Sequence, residues 1–199
     1  RAPEGHWPVA ARLKDGSAIC FQSPQESALF AMLSENAIVV PVTARNQDAF
    51  SRVDLRFYGD AVLNYGGTII NSKGAVDRHW QERMHVLSRD DGTMLEAIVA
   101  YLQVKAQAAG IEVTVRAIGE EGHPFYVVMK ATSHDAETVR RLAEVGTVCW
   151  TDLEAGTGLQ LHINGNNVAV MPAWLNKAHA VGHLLEGYRS MWGEVMSIG

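Results

Sequence analysis

The run Ile38-Val39-Val40-Pro41-Val42, apolar throughout, passes directly into Thr43-Ala44-Arg45-Asn46. Five apolar residues ahead of a polar turn predict a buried strand, and the pattern after the turn predicts a short helix over 47–53. A strand–turn–helix unit of this kind constrains the fold more than any other stretch, because it calls for an α/β sheet. In open α/β sheets ligands bind outside the carboxyl ends of the strands. A hydroxyl followed by backbone N–H groups at a helix start makes an anion site there. Thr43 is therefore a candidate ligand-binding residue. The competing reading is that Thr43 or Asn46 only caps the helix.

The 199 residues, 47% of them hydrophobic and 20% charged, are enough for one compact domain or a core carrying a smaller insertion. A net charge of -5 without a basic run argues against nucleic acid and against an anionic membrane surface. No apolar stretch approaches the roughly 18 residues of a membrane span. Cys20 and Cys149 lack CxxC spacing and read as small buried hydrophobes on strands, in a reducing compartment. The expectation is a soluble, cytoplasmic protein with a small-molecule partner and an oligomeric state that the sequence does not specify. Because the chain opens on Arg1 and closes on the strand-like Glu194-Val195-Met196-Ser197-Ile198-Gly199, both ends are expected to be cut within or beside structured elements.

Along the chain, Trp7–Leu13 and Ala18–Gln22 flank Lys14-Asp15-Gly16-Ser17, a hairpin signal. Ser23-Pro24-Gln25-Glu26 opens a helix with an apolar face of Ala28, Leu29, Met32 and Leu33. Ala61–Asn64 reads as a second buried strand ending in Tyr65-Gly66-Gly67, and Thr68–Ile70 with Asn71-Ser72-Lys73-Gly74 as a small hairpin. Helical pattern runs from Asp77 to about Gln107, broken at 89–93, with Leu95, Ile98, Val99 and Leu102 as its stripe. Strands follow at 111–118 and 125–131, then a helix at 135–145 capped by Ser133 or His134. Strands at 159–163 and 168–171 flank Asn164-Gly165. A helix from Leu175 to about Arg189 and a closing buried strand at Val195 complete the series. The predicted class is α/β. Residues 1–76 and 170–199 would form a Rossmann-like core, and 77–169 an inserted α+β domain.

A second anchor is Leu175-Asn176-Lys177-Ala178-His179-Ala180-Val181. Lys177 lies in the first turn of a helix, where the helix dipole disfavours a cation, so it either binds an anion or is a solvated surface lysine. Taken in order, the pieces resemble the haloacid dehalogenase superfamily of phosphatases. These pieces are Val-Thr-Ala-Arg after a buried strand, Asn-Tyr-Gly-Gly-Thr-Ile-Ile followed by a glycine and Trp80, and Leu-Asn-Lys-Ala-x-Ala-Val opening a late helix. The resemblance, over about residues 37–199, is strongest to the sucrose-phosphate phosphatase and Cof-type branch, in which a large α/β cap is inserted.

The resemblance implies that Thr43 is the hydroxyl that binds the phosphoryl group and Lys177 the cation that neutralises its charge. Arg45, Asn46, Asn64, Gly66 and Gly67 would line the pocket mouth. It further implies a Mg²⁺-dependent hydrolysis of a small phosphorylated metabolite through an aspartyl-phosphate. Two expected parts are lacking. The first motif, Asp-x-Asp-Gly-Thr or similar, has only broken matches: Leu13-Lys14-Asp15-Gly16-Ser17 has leucine, and Arg89-Asp90-Asp91-Gly92-Thr93 arginine, where the nucleophile belongs. The fourth, a Gly-Asp pair that holds the metal, would follow Val195. Nucleophile, acid/base and metal ligands are therefore expected outside these residues, and no metal-ligating residue is assigned. The alternative is a catalytically degenerate relative that binds a phosphorylated ligand or a protein partner.

Other chemistry is less favoured. His179 and His183 have helical spacing but no adjacent glutamate, which argues against zinc. Trp80, Trp150 and Trp174 read as packing residues, and His123 with Glu120-Glu121 as a solvated turn.

Overall fold

The computed structural model describes residues 6–153, 158–188 and 194–198. The chain divides into two compact units, Arg1–Gln81 with Lys177–Gly199, and Glu82–Asn176.

The first unit opens on the expected hairpin, β1 (Val9–Arg12) antiparallel to β2 (Ala18–Phe21). Asp15 closes its turn by accepting from the Ser17 N–H at 2.9 Å and hydroxyl at 2.6 Å. Next comes α1 (Pro24–Asn36), started by a capping box in which Ser23 Oγ accepts from Glu26 N–H and Glu26 Oε2 from Ser23 N–H. Most of its expected apolar face stays outside: Ala28, Leu29 and Met32 are exposed, Leu33 is half-buried, and no residue of the helix is buried. The half-buried stripe is Ser27, Phe30, Leu33 and Ser34, and Phe30 meets Phe57 edge-on at 5.5 Å. Two serines at inward positions masked that stripe.

Residues 38–42 do not form the buried strand that their composition predicts. Ile38 and Val42 are exposed, and the parallel pairing is a single bridge, Val42 to Val62. Pro41 has no N–H to give, and among the described residues this segment is paired along one edge only, so neither face nor ladder is completed. The helix after it, α2 (Gln47–Phe50), is followed by β3 (Ala61–Leu63) and, after a 3-10 turn at Asn64–Gly66, by β4 (Thr68–Ile70). These two strands pair antiparallel, and Ala61, Leu63 and Ile70 form a small core with Phe50 and Val76.

The chain then runs through α3 (Arg78–Ser88) into the second unit. There α4 (Gly92–Ala108), β5 (Val113–Glu120), β6 (His123–Ala131), α5 (Ala136–Leu153), β7 (Leu159–Asn164) and β8 (Asn167–Pro172) follow. The strands make one antiparallel sheet in the order β5-β6-β8-β7. Leu95, Ile98 and Leu102 of α4 and Leu142 and Cys149 of α5 pack on Val127, Met129, Val168 and Val170 of the sheet. Each fully buried leucine or valine contributes about 1.5–3 kcal/mol, so this core is the unit's main support.

Three expectations change here. Asp135, not Ser133 or His134, caps α5, its Oδ1 accepting from Thr138 N–H at 2.9 Å. Cys149 is buried but helical, on the Leu142–Gly146–Cys149 stripe of α5, and Cys20 on β2 is exposed. The chain returns to the first unit through α6 (Lys177–Tyr188), and Arg189, the expected helix end, lies outside the described residues. Among the described residues 194–198 no strand forms. Val195, Met196 and Ile198 are exposed.

Candidate functional site

The backbone leaves β3 in an uncommon conformation. Asn64, Tyr65 and Gly66 have φ of 51°, 57° and 101°, three successive left-handed residues. Glycine adopts this freely, whereas a residue with a Cβ gives up about 1–2 kcal/mol. The surroundings hold the turn in place. Asn64 is fully buried and donates from Nδ2 to Thr68 Oγ1 at 2.9 Å. The indole of buried Trp80 donates to the Gly66 carbonyl at 2.9 Å, and Gly67 N–H to Asn64 O at 3.0 Å. Backbone strain of this sort gathers where a site is being shaped.

Beside β3 runs the Thr43 turn. Val62 N–H donates to Pro41 O, Thr43 N–H to Val62 O and Asn64 N–H to Arg45 O, each at 2.8–2.9 Å. Residues 41–45 therefore travel parallel to β3 and arrive at its carboxyl end. The N–H groups of Thr43 and Arg45 are both engaged, the latter with Thr43 Oγ1 at 3.2 Å. That bond uses a lone pair of the hydroxyl and leaves its proton for another acceptor. Asn46 is the cap of α2, its Oδ1 accepting from Ala49 N–H at 2.9 Å.

The third piece is α6, which packs on β3 and on the 64–66 turn. Lys177 is its first helical residue and is exposed, with Nζ 5.9 Å from the centre of the Tyr65 ring. Burial pushes the Tyr65 phenol up, so the ring lies neutral beneath the ammonium. Thr43, Arg45, Asn64, Gly66, Gly67 and Lys177 thus come together around one strand end, while Asn46 turns to its helix. The sequence reading missed the residues that hold the arrangement, namely Tyr65, Thr68 and the pair His183–Asp77, with His183 Nε2 3.0 Å from Asp77 Oδ2. Burial raises the Asp77 carboxyl, but the N–H of Trp80 and then His183 outweigh it and hold it below the usual range. Farther along α6, Tyr188 donates to Asp60 at 2.6 Å. Burial, and then that carboxylate, pushes its phenol up to about 12.

These residues do not make a magnesium site. Mg²⁺ takes several hard oxygen ligands in octahedral array, and Asp77 already spends Oδ1 on Trp80 N–H and Oδ2 on His183. Among the described residues no group of three or more His, Cys, Asp or Glu is placed to hold a metal, and His179 and His183 belong to none. No described helix is long and apolar enough to cross a membrane.

No protein-family model matches the sequence, and no curated protein matches it. Solved structures do match. The IMP-nucleotidase of Plasmodium falciparum, solved with IMP bound, aligns with 86% of this chain and 52% of its own at 9% identity and a TM-score of 0.57. The C-terminal domain of Candida albicans trehalose-6-phosphate phosphatase aligns with 90% and 58% at 12% identity and 0.54. The Synechocystis sucrose-phosphatase, solved with sucrose and phosphate, aligns with 82% and 63% at 19% identity and 0.46. These neighbours are phosphatases of the haloacid dehalogenase superfamily, and the chain shares the fold of the first two. The chain spans 52–63% of the length of these three structures. The mixed core holding β3 and α6 and the antiparallel α+β unit give the class expected from the sequence, α/β with an inserted α+β domain. The core differs in detail, since its described parallel pairing is one bridge.

Proposed function

We propose that this chain is the phosphate-holding part of a phosphatase acting on a small phosphorylated metabolite. The observation that carries the reading is the convergence of the Thr43 turn, the strained 64–66 turn and Lys177 on the carboxyl end of β3. At that place a dianion would accept a hydrogen bond from the Thr43 hydroxyl and face the charge of Lys177. Arg45 stands by at the turn, and the Gly66-Gly67 backbone admits close approach. These are the parts that phosphoryl transfer asks of a protein: positioning and charge stabilisation rather than new covalent chemistry. The fold neighbours named above, which include phosphatases of phosphorylated sugars and of a nucleotide, support the same reading.

In this proposal the aspartate nucleophile, the acid/base and the carboxylates that hold Mg²⁺ are not among the described residues, and the metal supplies charge neutralisation when bound. Two free cysteines, one of them exposed, suit a reducing, cytoplasmic setting. The test is a phosphate-ester screen and a phosphate titration on the 199-residue chain. It should bind inorganic phosphate, hydrolyse no ester with Mg²⁺ present, and lose about tenfold in affinity as Lys177→Ala, a change of some 1.4 kcal/mol. Turnover by this chain, or a Lys177→Ala variant that binds as well as the parent, would contradict the proposal.

A further inference from the structure

Asp77 links the elements that carry the 64–66 turn and Lys177 through its own hydrogen bonds. Its backbone is pinned, N–H to Ile69 O on β4 at 2.9 Å, and its carbonyl accepts from Gln81 N–H, starting α3. The side chain divides its two oxygens. Oδ1 accepts from Trp80 N–H at 3.0 Å, fixing the first turn of α3 and with it the indole that donates to Gly66 O. Oδ2 faces His183 Nε2 at 3.0 Å, on the helix whose first residue is Lys177. The His183 ring is further enclosed by Trp80, with centroids 5.0 Å apart, and by His79 at 5.6 Å. One carboxylate thus sets the position of the left-handed turn through Trp80 and the rotation of α6 through His183.

We infer that Asp77 and His183 are positioning residues for the Lys177–Tyr65 face of the corner, an inference that rests on the phosphate-binding reading above. His183 lies six positions after Lys177, about nine ångströms along the helix at 1.5 Å per residue, so a slip at one end is carried to the other by a rigid element. Without the Asp77 contact α6 keeps its apolar packing through Ala180 and Leu184, both buried, but loses its polar stop. Lys177 then samples positions off the Tyr65 ring, and a bound anion meets it less often.

The test is the dissociation constant of inorganic phosphate for the full chain, measured by calorimetry on Lys177→Ala, Asp77→Asn, His183→Leu and His183→Gln. The asparagine of the Asp77→Asn variant can still cap α3 but presents an amide to His183, and the glutamine of His183→Gln can still donate to Asp77. Asp77→Asn and His183→Leu should weaken phosphate binding on the order of 3- to 10-fold, and His183→Gln should restore it to within about twofold of the parent. A purely structural or packing role would leave glutamine, which lacks the ring, as poor as leucine. If Lys177→Ala weakens binding while Asp77→Asn and His183→Leu bind like the parent, the positioning role is wrong and the corner stands. Should Lys177→Ala bind like the parent, or the parent bind no phosphate, the corner itself is wrong, and this inference falls with it. If Asp77→Asn fails to fold, the leucine and glutamine variants of His183 still decide.

Discussion

Asp77 carries a prediction whose sign follows from its carboxyl being held below the usual range in the folded chain. A depressed folded pKa gives stability that is fully present above the unfolded value, about 3.9 for aspartate, and is lost as pH falls through the lower folded value. Asp77→Asn should therefore lower stability at neutral pH and flatten the acid limb of the stability profile between about pH 4 and the folded pKa. Urea midpoints at several pH values check this, and a variant with the parent's acid limb would contradict it. Thr43 and Lys177 were legible in the sequence because each opens a local pattern, a turn after an apolar run and a lysine at a helix start. His183 and Asp77 were not legible, since they are 106 positions apart and no periodicity links them. The left-handed Tyr65 was equally hidden. A tyrosine carries no conformational signal of its own, and the buried side chains around it impose the φ.

Among the elements, hairpins and caps were read most easily. Asp15-Gly16, Asn164-Gly165 and Ser23-Pro24 encode their turns and starts within four residues, and β1–β2, β7–β8 and the start of α1 formed as expected. Faces were harder, because what a helix buries depends on its neighbours. The segment 38–42 has strand composition but is paired on one edge, and Cys149 sits among β-branched neighbours yet is helical because Leu142, Gly146 and Cys149 make a stripe against the sheet. Gly146 tests that packing. A Cβ there would lie 2.9 and 3.0 Å from the two Val168 methyls, and Val168 is fully buried. Helix propensity alone would make Gly146→Ala stabilising by about 1 kcal/mol, but overpacking against an unyielding valine costs about 1–3 kcal/mol. The net expectation is a lower urea midpoint, and a raised midpoint would mean that α5 has room to move off β8.

At the scale of the whole molecule, the continuous unit Glu82–Asn176 contains its own four-stranded sheet and a core drawn from both of its long helices. A polypeptide of residues 82–176 should fold alone, with a single cooperative transition in urea. A chain without such a transition would show that this core needs the other unit. The unit with β3 and α6 holds every residue to which the proposed function assigns a phosphate contact, so the central claim is local to it. The most direct measurement is a titration of the isotope-labelled 199-residue chain with inorganic phosphate, followed residue by residue through its amide resonances. The account predicts saturable shifts concentrated at Thr43–Asn46, Asn64–Gly67 and Lys177, with the midpoint of the titration raised about tenfold by Lys177→Ala. Shifts centred elsewhere, or none at these three segments at saturating phosphate, would contradict it.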